Sequence, residues 1–449
     1  MTLSYPARPA RTAPPRALKQ ALAKRVSELV APFPAQNILA LIPVFVFFYV
    51  LVLLPFLSVG ADGKPRLFNI VFWPLLGAVT LTLALYNHSR LDWNFVWSPP
   101  IISLSAYLLF AAASIGWALQ PEYSFSRYVV QLLAVIGVLV PYALPIPIKN
   151  TMPLLHLCCA IAIGINAYYV WTAATNTFGY QGYFLHKQEL GMFCGITIIL
   201  SIHELLFRGW RRAFAVAVLC LTLWVIFESK SKGSVAFLLP ALSLSALALI
   251  ACKLLRTTPA VILAGMMLAS YFVSNPLQKL AYRLYGDPTI TGRTFIWDFI
   301  ERWVSQRSWL GWGFHSYWNV PNSPHNFAPG FIKDMISAHS GYLELKLDTG
   351  YVGYWIFLAF IFASLHVLER VRKIDYLRAW ILLSLFSYVI IMNLIESIWM
   401  ETTAIWILYL IAVGEALRFT HSERRSPAPS QSAPYAGMRK FSALSRKSI

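Results

Sequence analysis

The sequence predicts an all-α integral membrane protein with about twelve transmembrane helices and a long outer loop containing short helices. Three observations carry this expectation. Hydrophobic residues make up 58% of the 449 residues and charged residues only 12%, with a mean hydropathy of +0.59, whereas soluble domains are roughly 25% charged. Apolar runs recur along almost the whole chain at the length, about 20 helical residues, that crosses a bilayer core of about 30 Å. A polar stretch over 275–338 interrupts them and far exceeds the roughly 12 to 15 residues of an ordinary connection.

Residues 1–37 hold six Lys/Arg among Pro and Ala and no apolar segment. They read as a basic tail rather than a signal peptide or a span, with a short surface helix over 18–30. Apolar runs bounded by charges or by Pro and Gly then place spans at 38–59, 67–86, 101–119, 128–148, 152–172, 190–207, 213–227, 235–255 and 259–273. The seventh and ninth are short for a crossing. This first membrane portion, 38–274, gives way to the loop 275–338. A second portion, 339–418, holds spans at 342–368, 377–394 and 398–417, and the Ser/Pro/Arg-rich residues 419–449 read as a disordered tail.

An even number of spans puts both tails on one side. Of the 37 Lys/Arg, 24 fall on that side and 12 on the other, half of these in the long loop, with Lys346 inside a span. The excess marks both tails as cytoplasmic and the loop as outer. The net charge of +18 is therefore a topology signal and no sign of a nucleic-acid partner. Cys158, Cys159, Cys194, Cys220 and Cys252 lie in apolar runs or at their ends, without the spacing of a metal site or disulfide framework.

Within the loop, Phe295, Phe299, Ile300, Trp303 and Val304 recur at helical spacing, with Thr291 or Gly292 as a start. The pattern predicts an amphipathic helix over 294–305 at the outer membrane surface. The aromatic residues around it, Trp297, Trp303, Trp309, Trp312, Phe314, Tyr317 and Trp318, suit an interfacial belt or a sugar-stacking surface. The belt is the expected role for most of them.

Four outer places carry groups able to act on a polar substrate: 182–191 with His186, Lys187 and Gln188; 228–233 with Lys230 and Lys232; 292–297 with Arg293 and Trp297; and His339 at the entrance to the tenth span. Ammonium, guanidinium and imidazole groups with few acidic partners favour a polyanion, and phosphate above all. A diphosphate on a lipid carrier entering from the outer leaflet fits. Each group also has a plainer reading. The three lysines can snorkel to headgroups, and Arg293 can cap its helix or pair with Asp287 or Asp298. His339 can be an ordinary interfacial histidine, and His186 a structural hydrogen-bonding group. Glu344, a turn and a half beyond His339, suits orientation or charge balance, and His315 and His325 read as loop residues.

In order and type, these segments resemble the O-antigen ligase and O-antigen polymerase superfamily, including its exopolysaccharide polymerase-like members. The matching elements are Phe184-x-His186-Lys187-Gln188-x-x-Gly191, Ser229-Lys230-Ser231-Lys232, Gly292-Arg293-x-x-Ile296-Trp297, Gly311-x-Gly313, and Ala338-His339-x-x-Tyr342-Leu343-Glu344 with Gly350-x-x-Gly353. Gln188 stands where Asn is more usual, and Ser340 where Asn is common.

The resemblance implies a metal-independent, cofactor-free inverting glycosyltransferase of the bacterial inner membrane. It would work at the periplasmic face on undecaprenyl-diphosphate-linked glycans, with lipid A core or a second lipid-linked glycan as acceptor. Arg293 and His339 are then the expected catalytic residues; Lys187, Lys230 and Lys232 bind diphosphate with Arg293, and His186, Gln188, Glu344 and Trp297 support. The competing class is a transporter or flippase for a lipid-linked or anionic substrate. It expects repeats and midplane charges, whereas no repeat is apparent and Lys346, Asp348, Glu396 and Glu401 mostly sit near span ends.

Overall fold

The computed structural model describes residues 35–57, 67–144, 151–173, 179–272, 292–318 and 320–425. Residues 1–34 and 426–449, loop residues 273–291 with Asp287, and the side chain of Lys232 lie outside the described residues. Helix extends into both expected tails, over 35–37 and over 419–425, the second of which was expected to be disordered. Every regular element among the described residues is helical.

A helix occupies each of the twelve apolar runs: α1 (Ala35–Phe48, continued by a π-helical turn to Leu57), α2 (Leu67–Tyr86), α3 (Pro99–Ser114), α4 (Pro121–Leu139), α5 (Thr151–Thr172), α6 (Lys187–Leu205), α7 (Trp210–Ser229), α8 (Lys232–Leu255) and α9 (Pro259–Phe272), then, beyond the loop helix α10 (Arg293–Gln306), α11 (Gly341–Ile374), α12 (Tyr376–Met392) and α13 (Ala404–Arg425). Six of them (α3, α4, α5, α7, α8 and α11) are long and apolar enough to cross a membrane, and α1, α2 and α12 contain shorter apolar helices. Proline shapes α1. Pro55 has no N–H to offer the Leu51 carbonyl, and the Tyr183 hydroxyl donates to it instead at 2.8 Å.

The last run departs from expectation. Helix α13 begins at Ala404, not near 398, and 393–403 is a turn-rich segment. Asn393 is the cause: its side-chain oxygen accepts from the backbone N–H groups of Ile398 and Trp399 at 3.1 and 3.0 Å, offering the chain an alternative to helix. Trp399 then drops into an aromatic cluster, tilted or edge-on to Phe357, Trp406 and Tyr409, all nearly or wholly buried.

Helix α10 starts at Gly292, which holds a left-handed φ of 83°. Its buried stripe, Arg293, Ile296, Ile300 and Val304, steps by three and four residues, as one face of a helix requires. The stripe builds a second small core with Trp312, Tyr317, Trp318, Ala338, Leu343 and Leu347. This corrects the belt reading for Trp312, Phe314, Tyr317 and Trp318, which are at most 8% exposed: the first, third and fourth give the loop its own interior, and Phe314 packs into the main core of the bundle. Trp309, 70% exposed, keeps an outward position.

The loop is bonded into the bundle through a break in α11. Gly350 adopts φ 61°, ψ −167°, a region open essentially to glycine alone. The break frees the carbonyls of Leu347 and Asp348, which accept from Trp312 and Gly313 N–H at 2.8 and 2.9 Å; Tyr351 and Val352 N–H donate to Ser308 and Trp309 carbonyls in return. Non-helical backbone at membrane depth is tolerated where protein restores its hydrogen bonds. Gly350→Ala is expected to cost about 1–3 kcal/mol, read as a lower melting temperature in detergent, since its Cβ would also run into the Trp309 carbonyl.

Elsewhere in the loop, His325 Nε2 donates to the Ile332 carbonyl at 2.9 Å, so Nδ1 carries the lone pair, and Nδ1 is buried without a partner. Burial holds the ring below its ordinary histidine range, opposed by that carbonyl and by Asp334. Below about pH 6.5 the unfolded chain therefore binds a proton that the folded loop refuses, and stability is lost as pH falls toward the folded value. The melting temperature is expected to drop over that window, and His325→Gln is expected to flatten the dependence.

Candidate active site

Helix α11 begins where three chain segments meet. Ser340 is its N-cap, accepting from Leu343 N–H at 3.4 Å, an arrangement worth about 1 kcal/mol. Gly341 is required by close approach. Its N–H donates to the carbonyls of Asn393 and Glu396 at 2.9 and 3.0 Å, and a Cβ there would meet the Asn393 carboxamide and Trp399. The 393–403 turn thus wraps the N-terminus of α11, which brings Glu396 to the mouth of the site.

His339 precedes the cap with φ 47°, a left-handed conformation that costs a non-glycine residue about 1–2 kcal/mol. The residue before it, Ala338, is clamped at both of its backbone polar groups. Trp297 Nε1 donates to the Ala338 carbonyl at 3.1 Å, and the Ala338 N–H donates to Glu344 Oε1 at 2.5 Å. Glu344 is itself held by Trp318 Nε1 at 2.9 Å and by the Ser397 hydroxyl at 3.3 Å. Trp297 and Glu344 therefore orient the backbone that presents the imidazole.

The side chains of Arg293 and His339 meet on one carboxylate. Arg293 Nη2 is ion-paired with Glu396 Oε1, and Arg293 Nε donates to the Ile395 carbonyl at 2.9 Å. His339 Nδ1 lies 3.1 Å from Glu396 Oε2. A carboxylate accepts, so Nδ1 carries the proton, and in the neutral ring Nε2 keeps its lone pair. The Arg293 and Glu396 side chains are 9% and 10% exposed and that of His339 31%; a buried ion pair backs an imidazole that opens outward. Glu396 is thus the acidic partner of Arg293, a role the sequence reading offered to Asp287 or Asp298.

The lysine-bearing segments reach the same end of the bundle. Tyr180 N–H donates to the Glu228 carbonyl at 3.1 Å and the Ser234 hydroxyl to the Gln188 carbonyl at 3.5 Å, which ties the start of α6 to the turn between α7 and α8. A Cβ on Gly233 would lie 3.2 Å from Ile395, the residue whose carbonyl receives Arg293. Lys187 opens α6, half exposed; Lys230 caps α7 in a left-handed conformation and is exposed, as is His186. The Ser234–Gln188 and Gly233–Ile395 contacts bring the Gln188 and Lys230 segments to the turn that carries Glu396. Among the described residues, no group of three or more His, Cys, Asp or Glu is arranged to hold a metal ion.

Glu396 is the residue sequence reasoning left unplaced. It was visible as an isolated carboxylate in an apolar stretch, the pattern that intramembrane function favours.

Comparison with known proteins bears on this end of the chain. Residues 197–358 match the family model described as O-antigen ligase, a segment that includes Lys230, Lys232, Arg293, His339 and Glu344. A protein of Rickettsia felis provisionally named a polysaccharide ligase is 25% identical over 334 residues, spanning 69% of this chain and 80% of the relative.

Proposed function

We propose, on the premise that residues 197–358 are an O-antigen ligase family domain, that the protein transfers a glycan from a polyprenyl diphosphate, of the undecaprenyl type, to an acceptor hydroxyl at the periplasmic face. The acceptor is lipid A core in a ligase and a second lipid-linked glycan in a polymerase. In this reading the chain crosses the membrane twelve times with both termini in the cytoplasm, which puts the Arg293 end of the bundle outside; the cation distribution supports it.

One observation carries the reading: a guanidinium and an imidazole with a free Nε2 converge on Glu396 at the bundle end where the Lys187 and Lys230 segments also arrive. The acceptor hydroxyl attacks the anomeric carbon from the face opposite the diphosphate, which inverts that centre. Charge develops on the leaving oxygen, where Arg293 and the lysines receive it, and His339 Nε2 takes the hydroxyl proton. Cationic side chains fill the role a divalent ion would otherwise serve.

Reconstitution with a defined undecaprenyl-diphosphate oligosaccharide and an acceptor, with and without chelator, tests this. Glycosidic product is expected from the wild type in chelator, and not from Arg293→Ala or His339→Ala. Full transfer by both variants would overturn the site, loss in chelator with recovery on adding magnesium would overturn metal independence, and movement of the lipid across the bilayer without bond formation would favour the transporter class.

A further inference from the structure

Resting on that reading, we infer that Glu396 is a positioning carboxylate that couples occupancy of the phosphate site to activation of the base. Its two oxygens serve different groups: Oε1 takes Arg293 and Oε2 takes His339 Nδ1. A diphosphate arriving at Arg293 competes with Oε1 for the same guanidinium, because Arg presents its paired N–H donors to either anion. As the donor takes over the guanidinium, the charge of Glu396 is no longer neutralised from that side and falls on the Nδ1–H of His339. The imidazole becomes the better base when a leaving group is in place.

The bond changes balance without any further reactant. The acceptor O–H gives its proton to His339 Nε2 and its oxygen bonds to the anomeric carbon; the bond from that carbon to the diphosphate oxygen breaks, and its electron pair leaves with the lipid diphosphate. Glu396 touches neither sugar nor phosphate in this scheme. Its effect passes through the ring it holds.

The surroundings favour a carboxylate with divided duty. Arg293 faces it from α10, and Glu189 on α6 lies within its electrostatic range. Glu344 on α11 is linked to the same turn through the Ser397 hydroxyl. With two further carboxyls nearby, Glu396 has the Arg293 guanidinium and the His339 ring as its hydrogen-bonding partners on this face, and it holds both. The Ile395 carbonyl keeps Arg293 in place through Nε, so the guanidinium can exchange Oε1 for phosphate without leaving its seat.

The test is steady-state transfer by Glu396→Gln and Glu396→Asp, with undecaprenyl diphosphate as a binding probe. Glu396→Gln is expected to lower kcat roughly 100-fold while KM for donor, and affinity for undecaprenyl diphosphate, stay the same or improve, since a competitor for Arg293 has lost its charge. The rate profile against pH is expected to differ from that of the wild type, because the anion facing His339 Nδ1–H has gone. Glu396→Asp, which keeps the charge, is expected to recover part of kcat. Glu396→Gln takes the anion from the buried Arg293 guanidinium and is expected to lower the melting temperature, so donor affinity at or above the wild-type level is the readout that reports an intact site. Glu396→Asp is expected to melt closer to the wild type. A parallel loss of donor affinity and kcat would reduce Glu396 to a structural tie. Wild-type kcat and pH profile in Glu396→Gln, with His339→Ala inactive, would overturn this inference and leave the transferase reading standing, whereas an active His339→Ala would remove that reading itself.

Discussion

Arg293→Ala is expected to lower glycan transfer by about 10²- to 10³-fold, the usual loss when a preorganised group facing a developing charge is removed. The same substitution strands Glu396, about 8% exposed, without its cation, and breaking a buried pair from one side costs about 3–5 kcal/mol. Rate and stability therefore fall together, and the single variant does not separate them. Arg293→Ala combined with Glu396→Gln does: removing both charges restores much of the melting temperature, while transfer stays at the level of the single variant. Recovery of transfer along with stability would mean that Arg293 acts through the fold alone.

His339→Gly is expected to separate the two quantities in the opposite way. The imidazole is lost, and with it about 10²- to 10⁴-fold in rate from proton transfer. The backbone, however, sits at φ 47°, where glycine rests without steric penalty. Relief of about 1 kcal/mol offsets the lost bond to Glu396, so the melting temperature is expected to hold or rise while activity collapses. A protein that tolerates the change in both assays would show that the left-handed residue is there for the turn and not for the ring.

Much of this arrangement was legible in the chain itself. Apolar runs located the twelve helices because burial or lipid contact of some 20 consecutive side chains leaves a signal that tertiary context does not erase. The helical spacing of Phe295, Phe299, Ile300, Trp303 and Val304 likewise foretold α10, although the stripe it buries is Arg293, Ile296, Ile300 and Val304 and Phe295 is exposed. Arg293 and His339 were singled out by charge on an outer surface and by order of motifs, and the structure brings them to one carboxylate. Glu396 escaped because its partners lie 103 and 57 positions away, and no local pattern announces a pairing across that distance. The turn at 393–403 was masked by its own hydrophobicity: Ile395, Ile398, Trp399 and Met400 read as span, and the Asn393 side chain decides otherwise. The buried tryptophans of the loop failed for a related reason, since a membrane belt and a small core draw on the same aromatic residues.

The break at Gly350 also bears on the order in which the chain can assemble. Until the 308–313 strand of loop docks, the carbonyls of Leu347 and Asp348 have no donors, and each such group in hydrocarbon costs several kcal/mol. The first two turns of α11, which carry Glu344 and follow His339, therefore cannot settle in lipid ahead of the loop. The loop emerges first from the ribosome and must fold against those turns before they find their depth, so the Arg293–Glu396–His339 cluster comes together only once the loop has docked.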